Sequence, residues 1–115
     1  LRMAGAEQVV AASRKRIAWI REYADDRPEP SLQEALQALE CAALDLVLVE
    51  GFKSESFPKI EVHRPALGKP LLFPGDDDII AIATDGDIAM PQSPLRQLDL
   101  NRPGEIAAYI LHLFP

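Results

Sequence analysis

The chain has 115 residues and a formal net charge of −6 at pH 7, and this length suits one domain with one core, expected over residues 1–115. The acidic balance argues against non-specific binding to nucleic acid or to a membrane surface, because both interactions require a basic face. A nucleotide ligand is not excluded, since backbone N–H groups and metal ions can hold phosphates. No apolar run in the sequence approaches the roughly 20 residues of a membrane-spanning helix and no signal peptide is evident, so a cytoplasmic location is expected.

Two short strands joined by a turn are predicted near the start of the chain. Residues 6–13 and 16–23 form the two strands, and residues 13–15 form the turn between them. In the second strand, Ile17 and Trp19 would share one face. Either run is also compatible with a helix, so the pattern favours a hairpin without excluding the alternative.

A helix is predicted after the polar loop 25–30. Ser31 and Glu34 have the S-x-x-E spacing of a capping box, and apolar residues then follow at helical spacing to about Ala43. Cys41 is the single cysteine and has no partner for an internal disulfide. We interpret it as a small core residue of this helix.

The second half of the chain is predicted to contain most of a sheet. The predicted strands are residues 44–52, 58–64, 79–83 and 96–100. The run 44–52 is predominantly apolar and rich in branched residues, which is typical of a strand buried on both faces. A terminal helix is predicted from Asn101 as its N-cap to about Leu113. Buried strands alternating with amphipathic helices predict an α/β fold with a mostly parallel sheet flanked by helices, which the leading hairpin would make mixed.

Acidic residues follow two of the buried strands. Glu50-Gly51 ends the run 44–52, and Thr84-Asp85 ends the run 79–83. Ligands of open parallel sheets bind beyond the carboxyl ends of the strands, so both acids are candidate ligand-binding residues. A carboxylate at the position of Glu50 can hold the Mg²⁺ of a nucleotide, usually through water. By itself the pattern favours a solvated acid at the end of a strand.

Other groups in the sequence carry less chemical information. The acidic run 76–78 precedes its strand and should lie at the amino end of the sheet, away from the ligand edge. His63 and His112 are isolated and are interpreted as ordinary polar positions. The chain contains no plausible catalytic triad and no G-x-x-x-x-G-K-[ST] phosphate-binding loop.

Four segments taken together carry a family resemblance. "RMAGAEQVVAAS", "DLVLVEGFK", "PKIEVHR" and "AIATD" occur in this order, and their combination resembles the molybdopterin-guanine dinucleotide biosynthesis protein B (MobB) family. The resemblance implies a P-loop NTPase-like fold, GTP and Mg²⁺ binding, and a homodimer. It also implies assistance to a partner molybdenum cofactor guanylyltransferase, which joins a GMP moiety to molybdopterin. Enzymatic activity would be at most a weak GTPase.

The resemblance also implies roles for particular residues. The family begins with a strand, a P-loop and a helix, so this chain resembles the carboxyl-terminal two-thirds of a member. Glu50 would then approach the Mg²⁺ of GTP, and Gly51 would leave space for the phosphates. Thr84 and Asp85 would contact the nucleotide, with the Asp85 carboxylate accepting hydrogen bonds from guanine; the alternative is that Asp85 only begins the tight turn 84–87.

Three cations are candidate contacts for an anionic pterin phosphate or for the partner protein, although solvated surface positions suit them equally well. They are Lys53, Lys59 and Arg64. The strand 57–64 would lie at a sheet edge and pair with a second copy, with Ile60 and Val62 on one face and polar residues on the other. Two other functions stay open: a P-loop ligase of the dethiobiotin synthetase type, and a dimerisation or docking module that binds no nucleotide.

Overall fold

The structure is a computed structural model that describes residues 4–23, 26–88 and 95–114. Residues 2 and 3 of the first resemblance segment, and residue 25 of the predicted loop, lie outside the described residues. The chain divides into two compact units, Leu1–Phe52 and Lys53–Pro115. The single domain expected over residues 1–115 stays a prediction.

The first unit begins with the predicted hairpin. Strands β1 (Gln8–Ala12) and β2 (Ile17–Arg21) pair antiparallel and form a two-stranded sheet of their own. The turn is closed by the Ser13 backbone N–H, which donates to the Arg16 carbonyl at 2.8 Å. The helical alternative is therefore excluded for both runs, and within the described residues the two strands pair with each other in a sheet of two strands.

The helix of the first unit is shorter than the sequence predicts. Helix α1 spans Leu32–Gln37 and begins with the predicted capping box, in which the Glu34 N–H donates to Ser31 Oγ at 3.2 Å. The chain then turns, and a single 3₁₀ turn covers Cys41–Ala43. None of the residues of α1 is buried. Its first turn is supported by the capping box and by the ion pair of Arg27 Nη2 with Glu34 Oε1 at 2.7 Å, and short helices without a buried face are marginal.

Two further predictions for the first unit are wrong. Cys41 is exposed, since the helix that was to bury it ends before it. The run 44–52 is not a strand in the described residues, and the Leu48 side chain is 73% exposed. A strand requires a hydrogen-bonded neighbour, and a strand buried on both faces requires coverage from two sides. The apolar residues of this run favour its burial, but their pattern does not identify the segment that would pack against the run.

The second unit contains a parallel sheet. Strands β3 (Lys59–His63), β4 (Ile79–Thr84) and β5 (Arg96–Asp99) lie in the order β3-β4-β5, and both neighbouring pairs are parallel. These elements confirm the three strands predicted here and the α/β class. Helix α2 (Pro103–Leu113) follows β5. Among the described residues, no helix is both long and apolar enough to cross a membrane.

One face of this sheet packs against α2. Ala81, Ala83 and Leu98 are buried, and Ile106 and Tyr109 of the helix pack against them. The Tyr109 hydroxyl also donates to the Ile80 carbonyl of β4 at 3.4 Å. Helix α2 begins one residue later than predicted, because Arg102 occupies the N-cap position instead of Asn101.

The opposite face of the sheet has a charged residue in its interior. The alternation predicted for β3 is present, but the polar side is the buried one: Glu61 is 7% exposed, whereas Val62 is 66% exposed. The Glu61 carboxylate accepts hydrogen bonds from the backbone N–H groups of Leu72 (2.7 Å) and Phe73 (2.9 Å). These bonds satisfy the charge of Glu61 and hold the β3–β4 connection over this face.

Candidate functional site

The carboxyl edge of the parallel sheet brings together three of the predicted site residues. His63, the last residue of β3, is the register partner of Thr84, the last residue of β4. The residues that follow, Arg64 and Asp85, therefore leave the sheet at the same level. Thr84 and Asp85 therefore lie at the carboxyl end of β4, the edge at which open parallel sheets bind ligands, and their contact with a nucleotide stays a prediction.

Arg64 and Asp85 form an ion pair across this edge. Arg64 Nη1 donates to Asp85 Oδ2. The Asp85 side chain is 23% exposed and the Arg64 side chain is 51% exposed. The carboxylate is therefore partly sheltered but still open to a ligand, and one of its two oxygens already has a cationic partner.

The turn that carries Asp85 is fixed by its neighbours. Thr84 Oγ1 donates to the Gly86 carbonyl at 3.1 Å and accepts from the Gly86 N–H at 3.3 Å. A Cβ at position 86 would lie 3.3 Å from Cγ of Pro65, so the glycine permits a close approach of the two strand-end loops. Thr84 therefore orders the turn with its hydroxyl. This geometry fits the interpretation of Asp85 as a turn residue, and the contact of its carboxylate with guanine stays a prediction.

The three predicted cations do not lie together. Lys59 begins β3, at the amino end of the sheet, and its ammonium group lies 2.8 Å from Asp76 Oδ2 and 2.8 Å from the Lys53 carbonyl oxygen. Only Arg64 lies at the carboxyl edge. Contact of Lys53 or Lys59 with a pterin phosphate or a partner stays a prediction, and for Lys59 such contact would compete with these internal bonds.

The acidic run 76–78 lies at the amino end of the sheet, as predicted, but two of its carboxylates pair with a lysine instead of being only solvated. Asp76 and Asp78 lie at the amino end of the sheet within 4 Å of the Lys59 ammonium group, at 2.8 and 3.8 Å. The hydrogen bond from Lys59 lowers the pKa of the Asp76 carboxyl below its ordinary value. Across the described residues, no group of three or more His, Cys, Asp or Glu side chains is arranged to hold a metal ion.

The predicted metal-binding acid belongs to the first unit. Glu50 is exposed and ends the extended run that precedes a sharp turn. Gly51 has a φ of 88°, and Phe52 has a φ of 51°. A positive φ is natural for glycine but strained for an aromatic residue, and such strain is concentrated at functional turns. The observed turn fits the glycine requirement predicted for this position.

Sequence reasoning missed two features of the second unit. Burial of Glu61 had no signal in the alternation of β3, since a charged residue normally marks the solvent side of a strand. The pairing of Arg64 with Asp85 did have one. Both residues directly follow neighbouring parallel strands, and opposite charges at that spacing are expected to meet once the strands are placed side by side.

Comparisons with known proteins agree with the fold. A family model described as molybdopterin guanine dinucleotide synthesis protein B (MobB) matches residues 1–85. A molybdopterin-guanine dinucleotide biosynthesis adapter protein of Haemophilus influenzae is 39% identical over 119 residues, covering 99% of this chain and 62% of the relative. A protein of the same name from Escherichia coli is 35% identical over 112 residues, covering 96% of this chain and 62% of the relative.

The chain thus spans 62% of the length of these two curated relatives. The matched residues 1–85 include Glu50 and Asp85, the two acidic residues that the sequence singled out. The family match and the two relatives therefore show that this chain belongs to the MobB family, which has a P-loop NTPase-like α/β fold.

Proposed function

We propose that this chain is part of a GTP-binding adapter protein of molybdopterin-guanine dinucleotide biosynthesis, which assists a partner guanylyltransferase. The names of the two relatives support the pathway and the adapter role. The proposal includes a cytoplasmic homodimer with at most weak GTPase activity.

The position and chemistry of Asp85 carry the nucleotide part of this proposal. Its partly exposed carboxylate lies at the carboxyl end of the central strand β4, which is the ligand edge of a parallel sheet. A carboxylate accepts hydrogen bonds and does not donate them, so it complements N1–H and the 2-amino group of guanine. Adenine presents an acceptor at N1 and no 2-amino group, and it would leave the carboxylate unsatisfied.

Mg²⁺ and the phosphates would be held by other residues. Glu50 supplies one exposed carboxylate, and Mg²⁺ at nucleotide sites takes one or two carboxylates together with water and phosphate oxygens. The donor type at Glu50 fits the ion, which would neutralise phosphate charge when bound. Gly51 leaves the backbone open beside it, since no atom lies within 4 Å of a Cβ built there.

Nucleotide competition tests the proposal. In a form of the protein with the full length of its relatives, GTP should bind more tightly than ATP, by up to about 10⁴-fold if the base is read by hydrogen bonds. Asp85→Asn should lower GTP affinity and narrow the gap to ATP. It should also favour xanthosine triphosphate, which has a carbonyl acceptor where guanine has the 2-amino donor. The matched control is Asp87→Asn, which removes the same charge at an exposed position of the same loop.

An unchanged ratio of GTP affinity to ATP affinity in Asp85→Asn would make Asp85 a turn residue, and the base would be read elsewhere.

Of the two other functions, the docking module is favoured by one observation: no residue described between positions 4 and 52 is buried. Large apolar side chains such as Ile17 (76% exposed) and Leu48 (73% exposed) are therefore available for contact. The alternative of a dethiobiotin synthetase-type ligase is not favoured. In such ligases small residues follow the glycine at the end of this strand, whereas Phe52 and Lys53 follow Gly51 here.

A further inference from the structure

The geometry points to Arg64 as the residue that positions the Asp85 carboxylate for reading the guanine base. This inference rests on the proposed function, since it assigns a specificity role within the same site. Its structural basis is the ion pair at the carboxyl edge, in which Arg64 Nη1 donates to Asp85 Oδ2. Arg64 itself contacts neither the base nor the phosphates in this arrangement.

The Asp85 side chain is constrained from two directions. Its backbone is held by the turn in which the Thr84 hydroxyl bonds to both the N–H and the carbonyl of Gly86. Its carboxylate accepts a charge-assisted hydrogen bond from Arg64, which restrains rotation of the side chain. Pro65 packs against Gly86 and connects the two loops directly. An acceptor that is fixed before the ligand arrives loses less conformational entropy on binding.

The ion pair is compatible with base binding. An ionised carboxylate has about four lone-pair positions on its two oxygens. Arg64 uses one of them through Nη1, and the remaining positions suffice for the two donors on the guanine edge. Arg64 can therefore stay in place while the base binds.

A direct role for Arg64 in binding a phosphate group makes a different prediction. The Arg64 side chain is 51% exposed, and its guanidinium has N–H donors beyond the one that Asp85 accepts. If those donors bound a phosphate of the nucleotide, removal of the guanidinium would weaken GTP and ATP equally. A positioning residue acts on the base alone, so its removal should weaken GTP selectively.

The test is a double-mutant cycle in a form of the protein with the full length of its relatives. The quantity compared is the affinity for GTP divided by the affinity for ATP, called the GTP-to-ATP ratio below. Dissociation constants for GTP and ATP are measured for the wild type, Arg64→Gln, Asp85→Asn and the double variant. Arg64→Gln should lower GTP affinity by about tenfold and leave ATP affinity within about twofold. In the Asp85→Asn background it should have little further effect on the ratio, because the two residues act as one unit.

Two further variants separate positioning from charge and from folding. Arg64→Lys retains the charge without the planar guanidinium. Its preference for GTP over ATP should lie between that of Arg64→Gln and that of the wild type. Arg96→Gln removes the same charge from an exposed residue at the amino end of β5 and should leave the ratio unchanged. Because Arg64 is half exposed, its loss should alter stability little, and unfolding curves verify this.

The outcomes distinguish a positioning role of Arg64 from a phosphate-binding role and from the absence of base reading by Asp85. If Asp85→Asn lowers the ratio but Arg64→Gln and Arg64→Lys do not, Asp85 reads the base without Arg64 and this inference is wrong. Equal weakening of GTP and ATP by Arg64→Gln would assign Arg64 to the phosphates instead. An unchanged ratio in Asp85→Asn would overturn the proposed base-reading role and this inference with it. If Arg64→Gln does not fold, full wild-type discrimination in Arg64→Lys would overturn the inference.

Discussion

Lys59 Nζ lies 2.8 Å from Asp76 Oδ2 and joins the start of β3 to the segment that precedes β4. Both side chains are partly sheltered, with 14% of the lysine and 27% of the aspartate exposed. The hydrogen bond from Lys59 lowers the pKa of Asp76 below its ordinary value of 3.8. The contact therefore fixes the amino end of the parallel pair and makes its contribution to stability depend on pH.

The first prediction concerns this pH dependence. Since the pKa of Asp76 is lowered in the folded state, the stabilisation by the ion pair is fully present above the ordinary value of 3.8. It is lost as the pH falls through the lowered value. Asp76→Asn should therefore reduce the free energy of unfolding at pH 6–7, and the difference from wild type should shrink below about pH 4. Urea unfolding at several pH values measures this difference.

The control for this experiment is Asp77→Asn. Asp77 is exposed and has no described ion pair, so the substitution removes the same charge without the contact. A deficit that is constant across the pH range, or equal in the two variants, would contradict the assigned role of the pair.

The second prediction is that the 115-residue chain binds GTP weakly on its own. Most phosphate contacts in P-loop proteins come from the backbone N–H groups and the lysine of the loop. This sequence contains no such motif. Calorimetric titration with GTP in the presence of Mg²⁺ should give no micromolar binding, and an affinity in that range would show that the chain holds phosphates by other means.

The third prediction concerns Glu50 in a form of the protein with the full length of its relatives. If this carboxylate holds Mg²⁺ through water, Glu50→Ala should weaken Mg²⁺-dependent GTP binding by about 10–100-fold with little effect on folding, because Glu50 is exposed. Glu40→Ala removes another exposed acid of the same unit and should bind normally. Normal Mg²⁺–GTP binding by Glu50→Ala would remove the metal assignment.

A core variant calibrates what general destabilisation does to the same measurement. Ile82 is 0% exposed, so Ile82→Ala should lower stability by about 2–5 kcal/mol through lost burial and a cavity. Under conditions where this variant remains folded, its GTP affinity should be retained.

The fourth prediction concerns self-association through β3. Within the described residues β3 is an edge strand, and Val62 on it is 66% exposed. An edge strand offers unpaired backbone groups to a second copy, and a charge placed on it discourages such pairing. Light scattering at tens of micromolar should report a dimer that Val62→Lys weakens. Leu67→Lys, at a similarly exposed position outside the strand (64% exposed), should not weaken the dimer. A strict monomer would rule out the predicted homodimer for this chain.

The fifth prediction concerns the apolar run 44–52. In a form of the protein with the full length of its relatives, the backbone amides of residues 46–49 should exchange more slowly than in the 115-residue chain, because a strand needs a neighbour to protect its N–H groups. Amide exchange measured by mass spectrometry compares the two forms. The matched reference is residues 79–84, which already form β4 and should change little.

The candidate site was partly predictable. Positions at the ends of strands follow from the order of strands alone, so Asp85 could be assigned to the carboxyl edge and the run 76–78 to the amino edge. The ion pair of Asp85 with Arg64 required knowledge that β3 and β4 are direct neighbours. The buried state of Glu61 required the position of the loop that donates to it, which no local pattern contains.

The sequence by itself determined the elements whose causes are local. The capping box of Ser31 and Glu34, the turn that closes the hairpin, and the apolar strand β4 all depend on residues a few positions apart. Only the tertiary structure decided which residues of the strands are buried. Glu61 is buried while Val62 is exposed. Leu48 is exposed although the apolar run 44–52 predicts its burial. Residues close together in the sequence determine local backbone structure such as caps, turns and strands. Burial of a side chain depends instead on which segment, distant in the sequence, packs against that face of the element.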